Sequence, residues 1–222
     1  MEQQAQKLFM NQMTRNKLYQ LFGLRRVNKI KALEEWLSAE TALTEKELVV
    51  IQVFQDRLLA NVDDWNEQEL SLGFIGPILN LINFKIPYEL NFYAQRHISG
   101  IVGEYELIGK PDGIIASGGG EPEKPFFSFH EYKKDVDSSG DPAGQNLAAM
   151  LVGQTHNQDE EVVYGCYVVG RFWYFMVLEG NQFAISQEFS ATSSDLFKIV
   201  QMMKYLKHVL IERLGLKNKV LE

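Results

Sequence analysis

The chain has 222 residues, 45% of them hydrophobic and 23% charged, with one cysteine and a formal net charge of −7. This composition excludes wholesale disorder, a disulfide framework and a cysteine-based zinc cluster, and it argues against coating nucleic acid by charge alone. No apolar run approaches the roughly 18 residues that span a bilayer, and residues 1–20 are too polar for a signal peptide, so a reducing cytoplasm is the expected location.

Charge is uneven along the chain. Lys7, Arg15, Lys17, Arg25, Arg26, Lys29 and Lys31 stand against a single Glu2 at the start. Residues 34–69 are strongly acidic, and Lys198, Lys204, Lys207, Arg213, Lys217 and Lys219 restore positive charge at the end. Such basic ends either form a local phosphate-binding surface or are solvated helix faces.

The first third reads as helical. Leu8, Met13, Leu18 and Leu21 recur loosely at helical spacing and Gly23 ends the run; a second short helix fits 30–37, with Leu33 and Trp36 on one side. Thr44 followed by Glu47 is a capping-box signature, and Leu48, Ile51, Phe54, Leu58 and Leu59 give the third helix its apolar face. Residues 67–81 read as a helix with Leu70, Phe74, Ile78 and Leu81 on one stripe, kinked or broken at Pro77.

Strand-like runs follow at 89–93, 104–116 and 126–133, the last two joined by the turn Ser117-Gly118-Gly119-Gly120-Glu121-Pro122. A helix begins near Asp141 with Leu147, Met150 and Leu151. Strands at 162–169 and 172–178 flank a tight turn at Gly170-Arg171, and an edge strand fits 183–189. The tail at 194–214 is an amphipathic helix with Leu196, Ile199, Val200, Met203, Leu206 and Leu210 inward. The order predicts an α/β or α+β fold, a mixed sheet covered on both faces: a helical N-terminal extension over 1–62 packed on a core at 63–222. Those N-terminal helices leave room for a homodimer or a protein partner.

Chemistry concentrates at Pro111-Asp112 and at Glu131-Tyr132-Lys133. On a strand, Glu131 and Lys133 project to one face. If the two strands pair as a hairpin, Asp112 lies beside them, and two carboxylates converge with an ammonium. Carboxylates held close disfavour each other's ionised form, a cost that a hard divalent cation such as Mg²⁺ or Mn²⁺ removes. A bound metal would polarise a phosphoryl oxygen and lower the pKa of a coordinated water. Lys133 would act as a cation that stabilises the transition state rather than as a resting base.

Pro-Asp, a loop, then Glu-x-Lys on a strand resembles the PD-(D/E)XK nuclease superfamily, and within it the N-terminal nuclease domain of restriction-enzyme R subunits. Asn66-Glu67-Gln68-Glu69-Leu70 leading to Ile75-Gly76-Pro77-Ile78-Leu79 is similar to the first core helix of restriction-endonuclease-like members, with Glu69 at the position of their helix glutamate. Gln145 matches the glutamine that many members place on the helix after the Glu-x-Lys strand. Tyr164-Gly165 and Gly170-Arg171-Phe172-Trp173 resemble the two closing strands. The likeness covers about residues 65–178, and Ala149 stands where some members carry a tyrosine four residues after the glutamine.

The resemblance implies a restriction-endonuclease-like fold and Mg²⁺- or Mn²⁺-dependent hydrolysis of nucleic acid, DNA first. It implies Asp112, Glu131 and the Tyr132 carbonyl as metal ligands, Lys133 as the catalytic lysine, and Glu69 and Gln145 as supporting positions. The alternative is a catalytically inactive nuclease fold that binds nucleic acid or protein. Plainer uses remain for each residue: Asp112 as a turn residue, Glu131 and Lys133 as exposed strand charges, Glu69 and Gln145 as helix-surface groups. His97, His130, His156 and His208 lack metal-ligand spacing, Cys166 reads as inert packing, and Trp173, Tyr174 and Phe175 as core filling.

Overall fold

Phe126, Phe127, Phe129 and Tyr132 crowd aromatic surface onto one strand, β7 (Glu123–Lys133), and all four are buried. A strand apolar on both faces must lie inside a sheet covered from both sides. The computed structural model describes residues 5–134, 140–157 and 161–216; Glu2, Lys217 and Lys219 of the charged ends fall outside them. In it β7 pairs antiparallel with β6 (Gly113–Ser117) and parallel with β8 (Val163–Val169). With β3 (Asn91–Ala94), β9 (Phe172–Glu179), β10 (Gln182–Ile185) and β2 (Arg25–Arg26) they build a mixed sheet of order β2-β10-β9-β8-β7-β6-β3. The short β11 (Phe189–Ser190) flanks β9.

Two cores lie on opposite faces of this sheet. One holds Trp36, Phe74, Trp173 and Phe175 beneath α2 (Lys31–Leu37), α3 (Glu45–Asn61), α4 (Glu67–Leu70), α5 (Gly76–Ile82) and α7 (Asp195–Arg213). The other holds Leu18, Phe129, Leu147, Met150 and Met176 beneath α1 (Arg15–Phe22) and α6 (Pro142–Asn157). A second sheet, β1 (Gln6–Phe9), β5 (Tyr105–Gly109) and β4 (Ile98–Val102), completes the α6 side. The chain is thus a mixed α/β fold, and no helix among the described residues is long and apolar enough to cross a membrane.

Local signals held where they had a mechanism. Thr44 and Glu47 form a full capping box, the Thr44 N–H donating to the Glu47 carboxylate at 2.7 Å. Gly23 caps α1 in the left-handed region at φ 67°, a conformation that costs glycine little. All six apolar residues expected inward on the last helix are buried. Asp141 stands at the start of α6, accepting from the Gly144 N–H.

Four features differ from the sequence reading. The N-terminal stretch is not a purely helical extension: β1 pairs in parallel with β5 and β2 with β10, so both sheets need it. These strands of four and two residues are specified by their partners rather than by any pattern of their own. The run at 104–116 divides at Lys110-Pro111-Asp112 into β5 and β6, which belong to different sheets, as proline lacks the N–H a continuous ladder would need. Pro77 does not end its helix but stands in the first turn of α5; a π-helical turn over Ser71–Ile75 precedes it, the Gly76 N–H reaching back to the Ser71 carbonyl. On α3, Leu48 and Leu59 lie on the exposed side. Gln55 takes an inward place instead, donating to the carbonyls of Ala191 at 3.1 Å and Ser193 at 2.6 Å.

Gly144 is where α1 docks on α6. A methyl group there would meet the Thr14 Cα at 2.7 Å and the Arg15 nitrogen at 2.8 Å, both backbone atoms that cannot swing away. Gly144→Ala is therefore expected to destabilise the fold by about 1–3 kcal/mol despite the helix propensity gained. A thermal melt against the native chain checks this; an unchanged or higher midpoint would contradict the packing described.

Candidate active site

The hairpin of β6 and β7 sets the site. Its ladder ends at Gly113 opposite His130, so Asp112 falls beside Glu131 just past the last pair. Asp112 turns its carboxylate onto the Tyr132 N–H at 2.8 Å, taking the place of the missing strand. A residue's N–H and C=O point to the same side of its strand, so the Tyr132 carbonyl faces the same gap. Upstream, a β-bulge between Ile115 and Ala116 opposes one extra residue of β7. Without it the alternation would shift by one, and every later side chain of β7 would change face.

With the bulge, Glu131 and Lys133 point toward α6. The Lys133 ammonium lies 3.0 Å from Glu131 and 3.4 Å from Glu67. Asp112, Glu131, Lys133 and Gln145 line one cavity of about 360 Å³, together with His97 and Lys110. Gln145 sits in the first turn of α6, which Asn146 anchors by donating to the Cys166 carbonyl at 3.3 Å. A hollow of about 780 Å³, lined by Leu72, Ile75, Phe92 and Gln95, approaches Asp112 and Tyr132 from the other side.

Burial pushes the Glu131 carboxyl up to about 7, with Asp112 adding repulsion; Lys133 offsets only part of this. Burial alone would lower Lys133, yet the surrounding carboxylates, Glu131 foremost, outweigh it and hold its pKa above the ordinary value. The lysine is therefore a fixed cation beside a carboxyl that burial and Asp112 still hold well above its ordinary pKa. On the opposite face of β7, His130 is fully buried, within 3.3 Å of the Ser128 hydroxyl and 3.1 Å of the Tyr132 hydroxyl. Burial depresses it to about 3, so it stays a neutral core group.

Glu69 is the one expected site residue that points elsewhere. Its carboxylate accepts from the Asn66 N–H at 2.7 Å while the Asn66 side chain accepts from the Glu69 N–H, a capping box that consumes it locally. Glu67, two residues earlier, reaches Lys133 instead. The signal was in the sequence: Asn66-x-x-Glu69 is the same motif as Thr44-x-x-Glu47. His97, set aside for want of metal-ligand spacing, lines the cavity from the turn before β4. Glu69→Ala is expected to lower the melting midpoint, costing about 1 kcal/mol, whereas Glu67→Ala removes one of the two carboxylates that hold Lys133 and leaves the capping box whole. A midpoint unmoved by Glu69→Ala would contradict this division of labour.

No protein-family model and no curated protein matches the chain. The donor set must therefore be judged on its own chemistry. Among the described residues no cluster of three or more His, Cys, Asp and Glu side chains is placed to hold an ion. Asp112, Glu131 and the Tyr132 carbonyl nevertheless supply hard oxygen donors, and Mg²⁺ is commonly held by one or two carboxylates with water completing its shell. A carboxyl raised toward neutrality by burial and repulsion is one that a cation would return to its ionised form. The residues fit a magnesium or manganese ion, and they do not fit zinc.

Proposed function

We propose that the chain is a metal-dependent phosphodiesterase of the PD-(D/E)XK type, with the restriction-endonuclease-like arrangement of its core and a nucleic acid, DNA first, as substrate. The observation that supports it most is the meeting of Asp112, Glu131 and Lys133 in one open cavity at the end of the β6–β7 hairpin. Asp112, Glu131 and the Tyr132 carbonyl would hold Mg²⁺, or Mn²⁺, which when bound supplies positive charge to the phosphate and acidifies water beside it. Lys133 keeps its proton and donates to oxygen that gains charge as phosphorus is attacked. Glu67 holds the lysine from the far side, so that its ammonium stays near Glu131. Gln145 offers an amide that can bind a phosphate oxygen or orient water. A cytoplasmic site of action belongs to the same reading.

The test uses the purified chain with labelled single- and double-stranded DNA and RNA. Cleavage that needs Mg²⁺ and stops on chelation is the expected result. Activity that survives both Glu131→Ala and Lys133→Ala would reject the proposal. A second reading, a nuclease fold that binds without cutting, is favoured by the double engagement of Lys133 by Glu131 and Glu67. Tight binding with no cleavage under any divalent cation would select it.

A further inference from the structure

Three hollows lie along the α6 side of the main sheet, the second and third sharing Arg15 and Asp141. The acidic cavity ends at Gln145, and a methyl group on Gly140 would lie 3.6 Å from that amide nitrogen. Gly140 opens the next hollow, of about 300 Å³, which Arg15, Asp141, Tyr167 and Tyr174 also line. Arg15 and Asp141 in turn border the third, of about 710 Å³, where Tyr19, Arg25 and Arg26 stand.

We propose that this furrow is the track of a single nucleic-acid strand leading to the acidic cavity, its phosphates against Arg15, Arg25 and Arg26 and its bases against the tyrosines. The inference rests on reading that cavity as a phosphodiester-cleaving centre. Charge is the first support. Three arginines stand against one aspartate, an excess of two positive charges in a chain of net charge −7. Asp141 is already committed, accepting from the Arg15 N–H at 2.8 Å, its Nε at 2.9 Å and the Gly144 N–H at 3.1 Å.

Availability is the second support. The cations of the last helix are mostly used within the fold: Lys204 binds Glu47 at 2.7 Å, Lys207 the Ile82 carbonyl and Arg213 the Val162 carbonyl. Among the described residues neither Arg25 nor Arg26 enters an ion pair, and both are exposed. Chemistry is the third. Tyr167 and Tyr174 stack with centroids 4.6 Å apart and planes within 6°; both are half-buried, and Tyr174 is tied to Glu188 at 3.3 Å. Arginines interleaved with aromatic rings suit a strand whose bases are free to stack, which those of a duplex are not.

Fluorescence anisotropy of the full chain with a labelled oligonucleotide of about 20 residues, single-stranded or duplexed, in EDTA and over a range of salt, tests this. The single strand should bind more tightly than the duplex. Arg25→Ala with Arg26→Ala should weaken binding by about tenfold or more and flatten the dependence of log affinity on log salt by about 1.4, two contacts at about 0.7 each. Arg25→Lys with Arg26→Lys should keep the native slope. Unchanged affinity and slope in the alanine pair, or preference for the duplex, would overturn the assignment. Native binding without any Mg²⁺-dependent cleavage of the bound strand would overturn the phosphodiesterase reading and leave the furrow standing; cleavage by a chain whose binding ignores both arginines would do the reverse.

Discussion

Glu131→Gln is expected to reduce Mg²⁺-dependent cleavage by about 10²- to 10³-fold, a size typical of removing one preorganised electrostatic group. Lys133→Met should reduce it as far by a different route, and the metal requirement separates the two. Glutamine removes a charge that the cation needs, so the Mg²⁺ concentration for half-maximal activity should rise. Methionine removes a cation that stands 3.0 Å from the Glu131 carboxylate. Two unit charges about 4 Å apart interact by about 4 kcal/mol at an effective dielectric near 20. Loss of that competitor should hold Mg²⁺ at least as tightly as the native site while turnover collapses. A Mg²⁺ titration of initial rates in the three proteins gives both quantities. If Glu131→Gln merely scales the rate and leaves the half-maximal concentration unmoved, Glu131 is not a ligand of the cation.

How far the sequence allowed this site to be read depends on what each residue answers to. The meeting of Asp112, Glu131 and Lys133 was legible because strand alternation and a short hairpin are local rules, and the hairpin does pair; Gln145 entered only through the family resemblance, and it lines the same cavity. Glu67 was missed although its cue was local as well: once Asn66 and Glu69 are recognised as a capping box, Glu67 is the acid of that segment left to reach outward. The β-bulge in β7 could not be read, because an extra residue in one strand is defined only by its partner. It nonetheless decides which face Glu131 occupies.

The N-terminal stretch shows the same limit. Gln6–Phe9 carries no strand pattern strong enough to stand alone and becomes a strand by lying along Tyr105–Gly109. Arg25 and Arg26 looked like part of a generally basic end. Only the fold shows that they share a furrow with Tyr19 while the C-terminal cations turn inward. The main sheet and its covering helices were legible as a mixed α/β class; the small second sheet was not, since the change of sheet at Pro111 falls inside a single strand-like run.

In metal-free buffer the gap in stability between Glu131→Gln and the native chain should widen by about 3 kcal/mol from pH 4.5 to above 7, at about 1.4 kcal/mol per pH unit. The Glu131 carboxyl sits at about 7 in the folded chain against an ordinary 4.5. An acid so raised holds its proton harder when folded. Its contribution is complete below about 4.5 and is lost as pH rises through about 7, so stability should fall across that window. His130 acts the other way. Its folded pKa of about 3 lies below the ordinary 6.5, so the stability it lends is present above about 6.5 and is lost as pH falls toward 3. Between about 4.5 and 6.5 the two slopes oppose, and the native chain should show little net dependence on pH. Glutamine removes the falling slope alone, leaving a variant whose stability climbs with pH until His130 is neutral in both states. Urea melts at half-unit intervals of pH would show the divergence, and a gap that stays constant would mean that Glu131 is ionised throughout. Added Mg²⁺ should then close the gap above pH 6 by stabilising the native carboxylate, because the cation takes the place of the proton that Glu131 otherwise keeps.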